Sequence, residues 1–174
     1  MKKYLAYLLL CSLPLVSFGQ DWKTFTDTAG FFTAEYPSNW VNKVKQGNRV
    51  FFTSPASDKA DKFLENINIS VTENETYGTE LKLADLMPVV ISGLKKELDD
   101  FKEESTRYFK WNNVDAGELV YTGLNKLDHS FRVRSTQWYC FYKKRLYVLT
   151  FIAADGNTSH DKTAHKIMNS ILFK

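Results

Sequence analysis

The chain has 174 residues, of which 25% are charged, and a formal net charge of +3 at pH 7. Lys2 and Lys3 supply two of these positive charges, so residues 20–174 carry an excess of only one, and we expect no nucleic-acid interface. Residues 20–174 are enough for one domain with its own core, and no linker or repeat indicates a second domain.

Residues 1–19 have the pattern of a cleavable export signal. Two lysines, Lys2 and Lys3, precede the apolar stretch Tyr4–Val16, and Ser17-Phe18-Gly19 has the small-x-small spacing of a cleavage site. We therefore predict a signal peptide over residues 1–19 and an exported chain, periplasmic or secreted.

A membrane anchor and a lipid anchor were the alternatives for this segment. The apolar stretch is shorter than the roughly 20 residues of a spanning helix and contains Pro14. Cys11 lies inside that stretch and lacks the small preceding residue expected at a lipidated cysteine. The sequence thus predicts a mature chain from Gln20, with no stable membrane insertion after cleavage.

The first half of the predicted domain alternates short apolar runs with turn residues, as in antiparallel strands. In the fifth run, isoleucine and valine alternate with polar residues, which indicates a strand with one buried face. The five predicted strands are Trp22–Thr26, Phe31–Tyr36, Trp40–Lys45, Arg49–Ser54 and Glu65–Thr72, with a turn at 46–48.

The segment Ser54–Glu65 is the longest irregular stretch before the first helix. It surrounds an apolar pair with acids and lysines, a composition found in docking patches. Alternatively, Phe63 and Leu64 pack into the core and only anchor the loop. A calcium site is disfavoured because the loop has no glycine. The candidate partner-docking residues are Asp58, Lys59, Asp61, Lys62 and Phe63.

Two helices are predicted from apolar residues at three- and four-residue steps. The first spans Leu81–Phe101 with Thr79 as its N-cap, although Pro88 favours a regular helix that begins nearer Leu86. The second spans Ser159–Leu172.

A long hairpin, His129–Ala154, turns at Lys143-Lys144-Arg145. Both arms are apolar on both faces, which predicts a position in the middle of a sheet that is covered on each side. The segments Ser105–Trp111 and Gly117–Gly123 lead into it as further strands.

Three segments carry a resemblance to a known family. The run GFFTAEYPSNW (Gly30–Trp40), the strand end VFFTSP (Val50–Pro55) and ENINISV (Glu65–Val71) resemble PsbP-like domains, among them the extrinsic photosystem II subunit and DcrB-type periplasmic proteins. The resemblance implies an α+β fold, an α/β/α sandwich with a central, mainly antiparallel β-sheet covered by a helix on each face. It also implies a non-catalytic role of docking onto a larger partner. The chain lacks the N-terminal arm of the photosynthetic members, so no photosynthetic role is expected.

The residues capable of chemistry form no recognisable catalytic or metal pattern. His160 and His165 lie about 140° apart on a helix, so they cannot hold one metal from one face. Asp161 and His165 could form an ordinary ion pair at four-residue spacing. Cys140 lies in a strand that is apolar on both faces, which indicates a buried thiol.

We therefore expect an exported, non-enzymatic accessory or docking domain of the bacterial envelope, with a protein partner, no cofactor and no metal. The alternative is a carrier that holds an apolar small molecule between sheet and helix, where the 15% aromatic content could line a site. A hydrolase ranks third, because no nucleophile and base are recognisable.

Overall fold

The computed structural model describes residues 20–45, 49–59, 61–126 and 128–174. Two helices and ten strands follow one another in this part of the chain. In chain order they are β1 Trp22–Thr26, β2 Phe32–Pro37, β3 Val41–Lys45, β4 Arg49–Thr53, β5 Asn66–Glu73, α1 Leu83–Glu97, β6 Leu98–Trp111, β7 Val114–Asn125, β8 Asp128–Tyr142, β9 Arg145–Ala154, α2 Asp161–Asn169 and β10 Leu172–Phe173.

The strands form two antiparallel sheets. The larger has seven strands in the order β3-β4-β5-β9-β8-β7-β6, and the smaller has three in the order β1-β2-β10. Every strand pair is antiparallel. The α+β class predicted from the sequence is therefore confirmed.

The predicted long hairpin is the pair β8–β9 near the centre of the large sheet. Its turn residues Lys143 and Lys144 have φ angles of 49° and 59°, which is the backbone of a tight two-residue turn between twisted strands. The side chain of Lys144 also pairs with Glu75, which joins this turn to the end of β5.

Buried apolar residues fall into two clusters, which we call the α1 cluster and the α2 cluster. Met87 of α1 packs with Leu119, Tyr121 and Tyr139 of the large sheet. The α2 cluster joins Ala164, Ile167 and Met168 to both sheets, and its sheet residues include Trp138, Cys140, Phe151 and Phe32. Neighbouring residues of β8 thus belong to different clusters, as expected for a strand that is apolar on both faces.

The first helix differs from its prediction at both ends. It begins at Leu83, where the side chain of Asp85 accepts a hydrogen bond from the backbone of Lys82, so Thr79 is not its N-cap. Pro88 lies within it, and the helix does not start later on its account. At the other end Leu98 already belongs to β6. The prediction extended the helix to Phe101, because Leu98 and Phe101 continue its apolar spacing. Both residues belong to β6, and they pack in the same α1 cluster as the helix.

The second helix is shorter than predicted, and the small sheet takes the residues beyond it. Helix α2 ends at Asn169, and Leu172–Phe173 pairs with β2 instead of continuing the helix. Ser170 supports the change of direction, because its hydroxyl oxygen accepts a hydrogen bond from the backbone of Glu35 at 2.8 Å.

Helix α1 covers only part of the large sheet. Besides Met87, the α1 cluster takes side chains from β6, β7, β8 and β9, and none from β3, β4 or β5. The outermost of these three strands, β3, is exposed at every residue.

Candidate functional site

The predicted docking loop lies between β4 and β5 and carries Phe63 at the edge of a cleft. The Phe63 side chain is half-buried and packs against the ring of Phe131, with ring centroids 5.3 Å apart. Leu64 beside it is 41% exposed. Phe63 therefore anchors the loop on Phe131, and part of its ring remains exposed; a docking role for it stays a prediction.

The loop acids shape the loop from within. Asp61 accepts backbone hydrogen bonds from Ser57 at 2.8 Å and Phe63 at 3.2 Å. Asp58 accepts one from the backbone of Asp61 at 3.1 Å. The hydrogen bond from Ser57 holds the pKa of Asp61 below its ordinary value, so this carboxylate is charged at neutral pH.

The remaining loop charges point outward. Lys59 and Lys62 are both exposed on either side of Asp61. The structure thus brings Asp58, Asp61 and Phe63 together through hydrogen bonds, and leaves the two lysines on the surface around them.

Behind Phe63 lies a cavity of about 400 Å³, which we call the Phe63 cleft. Its floor is a row of facing residues across four strands, Asn66, Ile152, Ser135 and Tyr121. Burial raises the pKa of Tyr121, so its hydroxyl stays protonated at physiological pH. An apolar rim with polar groups on the floor suits a side chain that is mainly apolar.

A buried carboxylate fixes the base of this loop. Glu65 is 1% exposed, and it accepts hydrogen bonds from the hydroxyl of Ser54 at 3.0 Å and the side-chain amide of Asn157 at 2.5 Å. His160 Nε2 lies 3.8 Å from the same carboxylate, and its ring packs edge-on against Trp40. We call these residues the Glu65 network.

The Glu65 network does not have the arrangement of a nucleophile and its base. The hydroxyl hydrogen of Ser54 is directed to Glu65, not to His160, and Ser54 is only 3% exposed. Sequence reasoning missed this network, because Glu65 stood at the end of a charged loop and its partner Asn157 is 92 residues away.

A larger cavity of about 720 Å³ lies at the other end of α1, and we call it the Tyr108 cavity. Its walls combine the first turn of the helix with the ends of β6, β7 and β8, and Tyr108 is 56% exposed beside it. The lining includes Leu83, Val114 and Phe141, with Lys82 and Asp115 as charged members. Sequence reasoning assigned no site role to any residue of this cavity.

A second buried carboxylate, Glu118, is fully paired. Arg107 donates two hydrogen bonds to it, at 2.5 and 3.0 Å, and the indole of Trp138 donates one at 2.7 Å. Burial by itself would raise the pKa of Glu118, but the bonds from Arg107 and Trp138 outweigh it and lower that pKa. Glu118 thus stabilises the packing of β6, β7 and β8 as a charged group.

Two histidines and one thiol among the described residues lie in packed surroundings. His165 lies against the ring of Trp138, while His160 belongs to the Glu65 network. Cys140 is fully buried, and this burial raises the pKa of its thiol. Within the described ranges, no three His, Cys, Asp or Glu side chains are grouped closely enough to hold a metal ion. No described helix has the length and apolar character needed to cross a membrane.

Several solved structures share this fold. Cyanobacterial PsbP from Synechocystis aligns with a TM-score of 0.61 and 13% identity over 95% of this chain and 99% of its own. The Ran-binding protein Mog1p of Saccharomyces cerevisiae aligns with a TM-score of 0.60 and 10% identity, over 89% of this chain and 96% of its own. LpqN of Mycobacterium tuberculosis is involved in cell envelope biogenesis. It aligns with a TM-score of 0.57 and 12% identity, over 86% of this chain and 87% of its own.

No curated protein matches the chain. The family model described as PsbP-like protein matches residues 17–173, nearly the whole sequence. The resemblance found in the sequence is therefore confirmed, and the chain belongs to the PsbP-like family.

Proposed function

We propose that this protein is an exported, non-enzymatic docking domain of the bacterial envelope, and that the Phe63 cleft receives an apolar side chain of a protein partner. The observation that carries the proposal is the position of Phe63, half-buried at the rim of a 400 Å³ cavity on a loop with exposed charges. Two proteins of similar fold support it by what they do, since Mog1p binds Ran and LpqN takes part in envelope biogenesis.

Hydrogen bonds fix several of the described residues of this loop. Asp61 ties the backbone of Ser57 to that of Phe63, and Glu65 ties the end of the loop to Ser54 and Asn157. A preformed loop loses little conformational entropy on binding, so more of the contact energy becomes affinity. The loop charges of both signs, among them Asp58 and Asp61, guide the encounter, while the apolar contact in the cleft slows dissociation.

The finer arrangement of layers belongs to the same proposal. Helix α1 forms one outer layer, and α2 with the small sheet forms the other, around the large sheet. The middle of the sheet is then occupied on both faces, and docking takes place at its rim, where the Phe63 loop lies.

Site-specific photocrosslinking in the native envelope tests this proposal. A photoreactive phenylalanine analogue at position 62 should give a crosslinked band with one partner, and the same analogue at position 89 should not. Val89 is the matched position, because it is 67% exposed on α1, away from the loop. Adding Phe63→Ser to the position-62 protein should abolish the band if the ring is the anchor.

Substitution of the two loop acids distinguishes an effect on partner binding from an effect on the structure of the loop. Asp58→Asn with Asp61→Asn keeps oxygen acceptors for the loop hydrogen bonds, so we expect the fold to persist while capture weakens. Equal crosslinking at positions 62 and 89, or a band unaffected by Phe63→Ser, would place the docking surface elsewhere.

The alternative function, a carrier of an apolar small molecule, is favoured by the Tyr108 cavity. Its volume of about 720 Å³ is within the range of small-molecule sites, and it lies between helix and sheet. Native mass spectrometry of protein purified from its own envelope should then show a bound small molecule. Ala84→Phe, on the cavity wall, should remove that mass, and Val89→Phe on the same helix should keep it. A ligand-free spectrum for the wild type would exclude this role.

A further inference from the structure

Strand β3 is an open edge of the large sheet. It pairs with β4 on one side only, and all five of its residues, Val41–Lys45, are exposed. An edge strand presents a row of backbone N–H and C=O groups that a further strand can pair with. Helix α1 lies on the opposite half of the sheet, over β6 to β9, so it does not cover this edge.

Positive charge is concentrated on one face of this edge. Lys43 and Lys45 are two residues apart, so their side chains project from the same side of β3, and Arg49 of β4 lies directly opposite Lys45. In the described part of the chain none of the three forms an ion pair.

The neighbouring strands do not neutralise these cations. Across β3, β4 and β5 the one acidic residue is Glu73, and its carboxylate is already bound by Arg145 at 2.7 Å. The residues beside the cations on β4 and β5 are neutral, among them Phe51 and Asn68. Residues 20–174 carry a formal excess of only one positive charge, so three uncompensated cations here mean that charge is segregated on the surface.

Apolar groups accompany the cations. The ammonium of Lys45 lies 4.6 Å from the centre of the Phe51 ring. Val41 is 66% exposed and Val44 is 45% exposed. A partner strand on β3 would therefore find both charge and apolar contact along its length.

We propose that β3 is a docking edge for an extended acidic segment of a partner protein, which adds as an eighth strand to the large sheet. Backbone hydrogen bonds to β3 would supply affinity, and acidic residues at alternate positions would face Lys43 and Lys45. Side chains two apart on a strand are about 7 Å apart on both chains, so the two rows match in spacing. A second copy of this chain fits poorly, because self-pairing would bring lysines against lysines.

Fluorescence anisotropy with a labelled peptide tests this edge. The probe is a seven-residue peptide in which glutamate alternates with valine. The control is a labelled peptide of the same length in which lysine alternates with valine. We expect binding of the acidic peptide that weakens at least tenfold between 0.05 and 0.5 M NaCl, and no binding of the basic one. Methyl groups on alternate backbone amides of the acidic peptide should abolish binding, since they remove the donors needed for strand addition. Equal affinity of the methylated peptide would overturn the proposal and indicate a general anion site.

Paired charge reversals locate the site on the protein. Lys43→Glu with Lys45→Glu should reduce peptide affinity at least tenfold. Lys95→Glu with Lys96→Glu makes the same change in net charge on exposed residues of α1 and should reduce it less than threefold. Similar losses in both proteins would show a nonspecific charge effect and refute the edge. If the reversed edge does not fold by circular dichroism, Lys43→Gln with Lys45→Gln replaces it with the same expectation.

This edge and the Phe63 cleft are tested separately. Phe63→Ser should leave peptide affinity within twofold of wild type, because Phe63 packs on Phe131 of β8, which β4, β5 and β9 separate from β3 in the sheet. The docking edge can then hold or fail independently of the function proposed for the cleft.

Discussion

The side-chain amide of Asn157 donates a hydrogen bond to Glu65 Oε1 at 2.5 Å, and so ties the segment after β9 to the residue that precedes β5. Glu65 is a carboxylate with only 1% of its surface exposed, and a buried charge is stable only while its hydrogen bonds are complete. This contact links the loop that carries Phe63 to the segment that leads into α2.

Asn157→Ala should therefore lower the free energy of unfolding by about 1–3 kcal/mol, because it leaves one carboxylate oxygen without its partner. Urea denaturation followed by tryptophan fluorescence measures the change. Asn39→Ala is the control, since Asn39 is exposed and its side-chain oxygen accepts a hydrogen bond from exposed Gln20 at 3.2 Å, and it should cost less than about 0.5 kcal/mol. Equal effects of the two substitutions would contradict a special role for the Glu65 network.

Phe151→Ala should destabilise the protein by about 3–5 kcal/mol, as expected for a buried aromatic side chain. Phe151 is 3% exposed and belongs to the α2 cluster from its place in β9, between β5 and β8. Val89→Ala, at a residue 67% exposed, provides the comparison by the same urea measurement. A loss below about 1 kcal/mol for Phe151→Ala would show that this strand lies at an edge.

Glu118 should make stability depend on pH in the acid range. Its pKa in the folded protein lies below the ordinary value of 4.5, so its charged form stabilises the fold above that value. The contribution is lost as the pH falls from 4.5 through the lowered folded pKa. Glu118→Gln should be less stable than wild type at pH 7, and the two proteins should converge as the pH falls. Thermal unfolding from pH 7 to pH 2 measures this, with Glu80→Gln at an exposed turn as control. Parallel curves for wild type and Glu118→Gln would rule out the effect.

Export should leave a chain that begins at Gln20 and carries no lipid. The reason is the Ser17-Phe18-Gly19 site after a short apolar stretch, and these residues lie outside the part that the structure describes. Intact-mass analysis of the exported protein measures the start and any modification. A diacylglyceryl mass on Cys11, or a mass that includes residues 1–19, would refute the prediction.

Local patterns in the sequence were enough to predict most strands of the large sheet. The hairpin β8–β9 follows from two arms that are apolar on both faces and a basic turn, and Ile67, Ile69 and Val71 of β5 are buried as predicted. Each of these features depends on residues that are near one another in the chain, which is why reading the sequence finds them.

The first part of strand β6, before Ser105, was not predicted, because its local sequence pattern is misleading. Most of its residues are exposed and half are charged, as is usual at the edge of a sheet, so no alternation of apolar residues marks it. Its apolar residues Leu98 and Phe101 happen to continue the helical spacing of α1. Strand β10 was not predicted for a different reason. It has only two residues, and their partners in β2 lie far away in the sequence.

The docking role of the loop stays a prediction. Phe63 and the loop acids were chosen from composition, and the structure adds the cleft behind them. The Glu65 network could not be predicted, because a buried glutamate and an asparagine 92 residues away have no local relation. Lys43 and Lys45 were read only as members of a strand, since their lack of acidic neighbours becomes visible only from the sheet order.

The pairing of β10 with β2 has a consequence for the order in which the chain can fold. Leu172 and Phe173 lie opposite Thr33 and Phe32, and the backbone of Lys174 donates to Phe31 at 2.9 Å. A ribosome delivers residue 32 long before residue 172, so the small sheet stays incomplete until that late segment has emerged. A contact this distant in sequence also closes slowly. The nascent chain thus remains unable to complete its fold while residues 172–173 are still to be synthesised.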